Sequence, residues 1–386
     1  MRDLPSIIAI KIGSNTLTDE QGRIRGRVMA SRVAEIAGLA QQGHKMILIS
    51  SGAISYGLGL LPASMHPREM VELQATSAVG QGALYNRYSR LFMRRGVTTA
   101  QVLLTSFDIE ARNQYLNARN TLLKLLEWGI IPIVNENDTT SADEIRYGDN
   151  DFLAAQVAIL VKADLLMLLT DTEGLYTCDP AIDPCARLIE EVTDWSLMEQ
   201  IEAGESGSII GSGGMRSKIV AAEMATAANI EVVIANGGRP GVITRVAAGE
   251  RIGTLFKPVK SPISSFKLWL KYGRPSGGAI LVDDGAAQAL LKRGKSLLPA
   301  GIVRVEGSFQ AGEAVDVYHR KGDRRLIGKG VTNYGADELR KIKGMRSAEA
   351  IKLLPHGEEE VIHRDYFVLC GGGTHVPGKR AGGPQK

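Results

Sequence analysis

Short, uniformly apolar runs alternate with longer helical patterns over the first two thirds of the chain. Six runs have the length and the aliphatic or β-branched composition of buried strands: "SIIAIKI", "KMILIS", "TTAQVLLT", "GIIPIV", "DLLMLLT" and "EVVIAN". Helical patterns lie at residues 27–41, 70–94, 112–127, 151–161 and 216–229. Strands that are apolar on both faces are typical of a sheet covered on both sides. The pattern therefore predicts an α/β fold, with an open and mostly parallel sheet sandwiched by helices.

The pattern changes after residue 254. The segment "FKPVKSPISSFKLWLKYGRPSGG" combines Pro, Ser and Gly with scattered Lys, which is typical of a linker. Short strand patterns rich in glycine follow from residue 279. We therefore predict a first domain over residues 1–258, a linker over 259–276 and a small β-rich domain with one or two helices over 277–368. Residues 369–386 have almost no apolar content, and we expect a disordered tail there.

Composition narrows the class of protein. The chain has 386 residues, of which 44% are hydrophobic and 23% charged, as in ordinary globular proteins. No apolar stretch approaches the ~20 residues of a membrane span, and the brief run "IIAI" is too short for a signal-peptide core. These features predict a cytoplasmic protein with no membrane partner. The three cysteines lack CxxC spacing and indicate reduced thiols, and a net charge of +4 does not by itself indicate a nucleic-acid protein.

Clusters of small and polar residues follow the predicted strands. Lys11 and "GSN" end or follow the first strand, "SSGA" follows the second, and "NEND" follows the strand that ends at Val134. Thr170 and Asp171 follow the next strand, and "NGG" follows "EVVIA". In an open parallel sheet, ligands bind at the carboxyl edge of the strands. All these clusters fall on that edge, so we expect them to form one ligand site.

The glycine and serine loops suit a polyphosphate. In "KIGSN" and "SSGA" small residues let backbone N–H groups approach an anion closely. The loop "GSGGMRSK", residues 211–218, opens a helix and carries a lysine in its first turns. The order GxxxxGK[ST] is absent, and no GxGxxG follows the first strand, so neither a P-loop nor a dinucleotide fingerprint is supported.

Each of these features alone also has a purely structural explanation. A glycine-rich turn is more often only a turn. Lys11 could occupy an edge strand with its ammonium reaching solvent, although a lysine inside an apolar run is better explained by an anion at the strand end. Asp138, Asp149 and Asp151 could be turn or N-cap residues. The histidines show no ligand spacing, and we assign the aliphatic stripes of the helices wholly to the core.

Seven motifs, in order and spacing, resemble those of bacterial glutamate 5-kinases in the amino-acid kinase superfamily: "KIGSN", "SSGAI", "LNARNTL", "VNENDT", "GDND", "LLTDTEGLYTCDP" and "GSGGMRSK". The later region, with "DDGA" and "SLLPAGI", resembles the PUA domain found in many such kinases. The resemblance extends from about Ile7 to Tyr366. It implies the amino-acid kinase fold, a PUA-like domain, and ATP-dependent phosphorylation of the γ-carboxylate of L-glutamate in proline synthesis.

The resemblance also implies roles for individual residues. It assigns catalysis to Lys11, Lys218 and Asp151, with Asp151 orienting the lysines. It assigns glutamate binding to Ser51, Asp138 and Asn150, with Asn135 beside them. It assigns nucleotide binding to Lys11, to two residues after a strand and to the glycine loop that opens a helix. These residues are Thr170 and Asp171 after the strand, and Ser212, Gly213, Gly214, Met215, Arg216, Ser217 and Lys218 in the loop. Mg²⁺ is expected through the phosphates of ATP, without a metal site made by protein side chains.

Further expectations concern regulation and partners. The family implies feedback inhibition by proline, shaped by the loop over residues 139–147, and a homo-oligomer. For the PUA-like domain we favour a structural or regulatory role over RNA binding, because acidic and basic residues are near balance there. Two alternatives stay open: a related kinase acting on acetylglutamate, aspartate or a nucleoside monophosphate, and an RNA-binding regulator whose kinase-like domain only senses ATP or glutamate. The motifs "VNENDT" and "GDND" argue against the first, and the presence of both Lys11 and Lys218 argues against the second.

Overall fold

The computed structural model describes residues 6–370 apart from 20–22, 63, 64, 66, 106, 107, 110, 111, 141–149, 181, 182, 194, 196–212, 259–266, 268, 269, 272–275, 321–323 and 355–357. The chain divides into two compact units, residues 1–265 and 266–386. The expected linker lies largely outside the described residues, and so does most of the expected tail, from residue 371 onward.

The first unit is built on an eight-stranded sheet. Its strands, in chain order, are β1 Ile7–Ile12, β2 Lys45–Ser50, β3 Thr99–Leu104, β4 Ile131–Glu136, β5 Leu165–Thr170, β6 Glu191–Val192, β7 Glu231–Asn236 and β8 Thr254–Phe256. The order across the sheet is β3-β4-β2-β1-β5-β7-β8-β6. Six adjacent strands from β3 to β7 run parallel, and β8 runs antiparallel to β7. All six strands predicted from apolar runs are present, and the predicted α/β fold is confirmed.

The helices of this unit include the five that periodicity predicts and further short ones that it does not. They are α1 Ser14–Leu17, α2 Gly26–Gln41, α3 Ala53–Leu60, α4 Met70–Met93, α5 Arg112–Glu127, α6 Asp151–Val161, α7 Gly213–Ala227 and α8 Val242–Ala247. The bounds predicted for α5 and α6 agree with the structure. The sequence did not predict α3, because its start was interpreted as part of a phosphate loop; Gly52 ends that loop with φ +93° and α3 follows directly.

The pairing of β1 places Lys11 in the middle of the sheet. Lys11 lies opposite Ile49 of β2 and Leu168 of β5, so both neighbouring strands cover its backbone. This position excludes the alternative of an edge strand with a side chain reaching solvent. Strand β4 also runs two residues beyond the predicted end at Val134, so that Asn135 and Glu136 are buried strand residues rather than loop residues.

The second unit has its own sheet and core. Its strands are β9 Gly278–Val282, β10 Ile302–Gly307, β11 Ala314–His319, β12 Leu326–Val331 and β13 Phe367–Leu369, ordered β10-β9-β11-β12-β13. Helices α9 Asp284–Arg293, α10 Ala336–Ile342 and α11 Ser347–Leu353 accompany them. Residues such as Ile280, Val317 and Leu339 are buried in a core of this unit alone. The β-rich second domain is therefore confirmed, with three helices in its described part rather than one or two.

Candidate active site

Two lysines and one aspartate meet at the carboxyl edge of the sheet. Lys11 of β1 and Asp151 at the start of α6 are both 0% exposed, and Lys11 Nζ lies 2.7 Å from Asp151 Oδ1. Lys218 reaches the same carboxylate from α7, with Nζ 3.0 Å from Oδ2. These three side chains, which come from positions far apart in the chain, are called here the charged trio. Two lysine cations against one carboxylate leave the trio with a formal net charge of one positive unit.

The surroundings of the charged trio keep Asp151 ionised. Ser217 Oγ donates to Asp151 Oδ2 over 2.7 Å, and Lys218 also donates to the backbone carbonyl of Gly214 over 2.9 Å. Burial opposes ionisation of Asp151, but the charges of Lys11 and Lys218 and the hydrogen bonds outweigh it and lower its pKa to about 2. The position of Asp151 in the first turn of α6 adds favourable helix-dipole potential. The carboxylate therefore works as a fixed anion between two fixed cations.

A chain of amides lies beside the charged trio. Asn150 Nδ2 donates to the backbone carbonyl of Ser50 over 2.6 Å and to Asn135 Oδ1, and Asn135 donates onward to Gln81 Oε1 of α4. Asn150 occupies the N-cap position of α6 but makes no capping hydrogen bond with its side chain. Its side chain instead connects α6 to β2 and β4. Ser51, 4% exposed, has no partner for Oγ among the described residues.

Helix α4 supplies two polar groups that the sequence analysis missed. Ser77 Oγ donates to Asp138 Oδ2, and Gln81 accepts from Asn135 as described above. The aliphatic and aromatic stripe of α4 packs in the core as expected, but the sequence analysis gave no role to the polar residues of this helix. The signal was available, because Ser77 and Gln81 are four residues apart and therefore share one face of the helix.

The end of β5 forms a second polar group on the other side of β1. Thr170 Oγ1 donates to Asp171 Oδ1 over 3.1 Å, and Asn15 Nδ2 donates to Asp171 Oδ2 over 3.1 Å. Partial burial opposes ionisation of Asp171, but these two hydrogen bonds, a backbone hydrogen bond and the charge of Lys218 together outweigh it and lower the pKa of the carboxyl group. Asn15 belongs to the "KIGSN" motif, although the sequence analysis gave it no role.

The remaining predicted site residues take differing positions at the start of α7. Gly213 and Gly214 are the first two residues of the helix, Met215 is half-buried and Arg216 is exposed. Ser212 and residues 141–147 of the loop expected to shape regulation lie outside the described residues. Within the part of the chain that the structure describes, no group of three or more His, Cys, Asp and Glu side chains could hold a metal ion.

Comparison with known proteins identifies the family of this chain. The amino acid kinase family profile matches residues 6–236. The glutamate 5-kinase of Caldanaerobacter subterraneus subsp. tengcongensis is 45% identical over 372 residues, which cover 96% of this chain and 100% of the relative. The chain belongs to the glutamate 5-kinase family. The resemblance drawn from the sequence motifs is thereby confirmed.

Other glutamate 5-kinases match over a similar length. The enzyme of Carboxydothermus hydrogenoformans is 46% identical over 366 residues, covering 94% of this chain and 97% of the relative, and that of Synechococcus sp. (strain JA-3-3Ab) is 45% identical over 94% of this chain and 98% of the relative. The PUA domain profile matches residues 278–354, so this family member carries a PUA domain in its second unit. No helix among the described residues is long and apolar enough to cross a membrane.

Asp151 is expected to make stability depend on pH in the acid range. Its pKa of about 2 lies below the ordinary 3.8, so its ionisation stabilises the fold above pH ~4, and this contribution is lost as the pH falls towards 2. We expect the gap in unfolding free energy between the natural protein and Asp151→Asn to narrow by about 1 kcal/mol between pH 6 and pH 3. Urea unfolding at each pH measures the two unfolding free energies. Other carboxylates titrate in both proteins, so their contributions cancel in the difference. A gap that stays constant would contradict the assigned pKa.

Proposed function

We propose that this protein transfers the γ-phosphoryl group of ATP to the γ-carboxylate of L-glutamate, giving γ-glutamyl phosphate and ADP in proline biosynthesis. The observation that supports this most directly is the charged trio, in which buried Lys11 and Lys218 converge on Asp151 at the carboxyl edge of the sheet. Its net positive charge suits a transferring phosphoryl group, and the family relationship specifies the acceptor.

Phosphoryl transfer to a carboxylate depends on cations more than on a general base. A glutamate carboxylate has an ordinary pKa of about 4.3 and is already ionised at neutral pH, so no proton has to be removed before it attacks phosphorus. Positioning and charge stabilisation then supply most of the catalysis. Lys11 and Lys218 would stabilise the charge that develops on the phosphoryl oxygens. Asp151 would act as a positioning residue, since it holds both ammonium groups through its two oxygens.

The amide chain and the Asp138 carboxylate supply what an amino-acid substrate requires. An α-ammonium needs an anion, and Asp138, fixed by Ser77, would pair with it. The acid groups need donors, which the Ser51 hydroxyl and Asn135 would supply; Ser51 Oγ is buried and has no partner among the described residues. Asn150, whose two amide hydrogens are donated to Ser50 and Asn135, would exchange one of these bonds for the substrate. We therefore place glutamate on the β2 and β4 side of the charged trio.

ATP would occupy the β5 side. Thr170 and Asp171 would contact the nucleotide, together with Ser212 and with residues 213–218 at the start of α7. Bound Mg²⁺ would neutralise charge between the β- and γ-phosphates. It would be held by those phosphates, as the family resemblance implies.

Several expectations about regulation and assembly remain proposals. We propose that proline inhibits at or near the glutamate site, and that the protein assembles as a homo-oligomer in the cytoplasm. We assign the PUA domain a structural or regulatory role rather than RNA binding.

Acyl-phosphate formation tests the proposed function. The purified full chain with ATP and Mg²⁺ is given glutamate, acetylglutamate or aspartate, and acyl phosphate is trapped with hydroxylamine; ADP release is followed in parallel with UMP. We expect signal with free glutamate alone. Turnover with another acceptor would replace the proposed substrate, and no turnover with any of the four would refute the kinase assignment.

Ser77→Ala is expected to weaken glutamate binding. The substitution removes the hydroxyl that fixes Asp138, and loss of a hydrogen bond to a charged group typically costs about 1.5–3 kcal/mol, so KM for glutamate should rise at least about tenfold. KM for ATP should change little, because Ser77 lies on the glutamate side. Steady-state kinetics in both substrates measures the effect, with Ser89→Ala on the same helix as the control. Equal increases in both KM values would indicate a general disturbance and contradict the assignment.

A further inference from the structure

Helix α2 carries a buried ion pair on an element that contributes nothing to the site described above. The side chains of Arg32 and Glu35 are 2% and 10% exposed, and Arg32 Nη2 lies 3.0 Å from Glu35 Oε1. Burying two charges costs free energy that their attraction often fails to recover, so stability alone is a weak explanation for such a pair. The contacts of the pair suggest a different use.

The ion pair forms hydrogen bonds with the connection from β7 to α8. Arg32 Nη1 donates to the backbone carbonyl of Arg239. Glu35 accepts from the backbone N–H of Gly241 over 3.2 Å and from that of Ile243 over 2.9 Å, at the start of α8. We call residues 236–241 the β7–α8 loop. The loop begins with the "NGG" motif, which the proposed function leaves without a role.

The β7–α8 loop in turn holds the segment after β5. Asn236 Nδ2 donates to Glu173 Oε1 over 2.9 Å, and Arg239 Nε lies 2.6 Å from Glu173 Oε2. The backbone N–H of Gly237 donates to the carbonyl of Thr170 over 2.7 Å. Three contacts therefore connect the loop to residues 170–173, which include the proposed nucleotide residues.

The loop has little space in which to shift while these contacts hold. A Cβ at Gly237 would lie 2.8 Å from Thr16 Cγ2 and 3.0 Å from Leu169 Cβ, so the backbone there packs directly on α1 and β5. Arg32 and Glu173 both contact this loop, Arg32 at the carbonyl of Arg239 and Glu173 at the side chains of Asn236 and Arg239. The loop is thus held between α2 and the segment after β5.

We infer that Arg32 is a positioning residue for nucleotide binding: it fixes the β7–α8 loop, and the loop fixes Thr170, Asp171 and Glu173. This inference rests on the proposed function, because it takes the β5 side of the site as the ATP side. The glutamate side is built from β2, β4 and α4, and the contacts of Arg32 and Glu35 described above do not reach those residues. The effect of Arg32 should therefore fall on ATP and ADP and spare glutamate.

The experiment separates positioning from simple stability. Four variants of the full chain are compared: Arg32→Met, Arg32→Lys, the double variant Arg32→Met with Glu35→Gln, and Arg27→Met as a control at an exposed arginine of the same helix. The double variant removes both buried charges and keeps an amide oxygen to accept from the α8 N–H groups. The measurements are ADP affinity by titration calorimetry, KM for ATP and for glutamate, and the thermal unfolding midpoint.

We expect Arg32→Met to weaken ADP binding and to raise KM for ATP by roughly tenfold or more, with KM for glutamate changed less than about twofold. Arg32→Lys should restore part of the ADP affinity, because its ammonium can still donate to the Arg239 carbonyl. In the double variant the unfolding midpoint should recover while ADP affinity stays low, since removing an unpaired buried charge restores stability but not the loop contact.

Two results would overturn the inference. One is a double variant that regains both stability and ADP affinity, which would make the pair purely structural. The other is an Arg32→Met variant in which KM for both substrates rises together. If the natural protein neither binds ADP nor forms acyl phosphate, the proposed function is refuted. This outcome is distinguishable from failure of the Arg32 inference, because it is seen without any variant.

Discussion

Replacing Lys11 by methionine should lower kcat by about 10³-fold or more, with a smaller change in KM for glutamate. Lys11 lies at the end of β1, 0% exposed, and its ammonium is held 2.7 Å from Asp151. Cations placed on a transferring phosphoryl group act mainly in the transition state, and removing one such group typically costs orders of magnitude in rate. Methionine preserves most of the side-chain volume, so the loss should be one of charge.

The control for Lys11 comes from the neighbouring strand. Lys45 is the exposed first residue of β2, and Lys45→Met should leave kcat within about twofold, because a surface lysine away from the site contributes little. Acyl-phosphate formation at saturating ATP and glutamate gives kcat, and circular dichroism checks that both variants fold. If folded Lys11→Met kept kcat within about tenfold of the natural protein, Lys11 would have no role on the transferred group.

Gly80→Ala should destabilise the first unit by about 3 kcal/mol or more. A Cβ at Gly80 of α4 would lie 1.9 Å from the carbonyl oxygen of Ala53 and 2.6 Å from the nitrogen of Gly57, both in the backbone of α3. Gly57 has the reciprocal contact, where a Cβ would lie 2.1 Å from the carbonyl oxygen of Thr76. Backbone atoms cannot rotate away as a side chain can, so the two helices would have to separate. The expected loss of unfolding free energy therefore lies at the upper end of the range for overpacking.

Gly82→Ala is the matched control on the same helix. Gly82 is exposed and a Cβ there meets nothing within 4 Å, so alanine should leave stability unchanged or raise it by up to about 1 kcal/mol through helix propensity. Urea unfolding gives both free energies. Equal stability of the two variants would show that α3 and α4 can move apart at little cost.

The same helix contact has a consequence for the site. Ser77 lies between Thr76 and Gly80 on α4, and α3 begins two residues after Ser51. Separating the helices would therefore also displace Ser77 from Asp138. Gly80→Ala should consequently raise KM for glutamate more than KM for ATP, if enough folded protein remains to assay.

Much of this protein could be predicted from local pattern. Apolar runs located all six strands of the parallel part of the sheet, and helical periodicity gave the bounds of α5 and α6. Topology then accounts for the placement of Lys11, Asp151 and Thr170 at one edge, since parallel strands end on the same side. Motif resemblance gave the family, because the motifs keep their order and spacing.

Other features depended on contacts between distant parts of the chain. The side chains of Asn150, Asn135 and Gln81 meet only because β4, α6 and α4 pack around one point, and Arg32 reaches Arg239 across 207 positions of sequence. The short strands β6 and β8 have too few residues for a periodic signal.

The sequence by itself determined the six parallel strands, the five longer helices, the edge that carries the chemistry, and the family. The resemblance implied that Asp151 orients both lysines, and the structure supplied the distances. Only the tertiary structure decided that α4 faces the site with Ser77 and that α2 contacts the loop after β7. The physical reason is that periodicity reports burial along one element, whereas a contact between elements depends on how closely and in which rotation they pack. At α3 and α4 two glycines set that distance, and no local pattern reveals which helix each of them will meet.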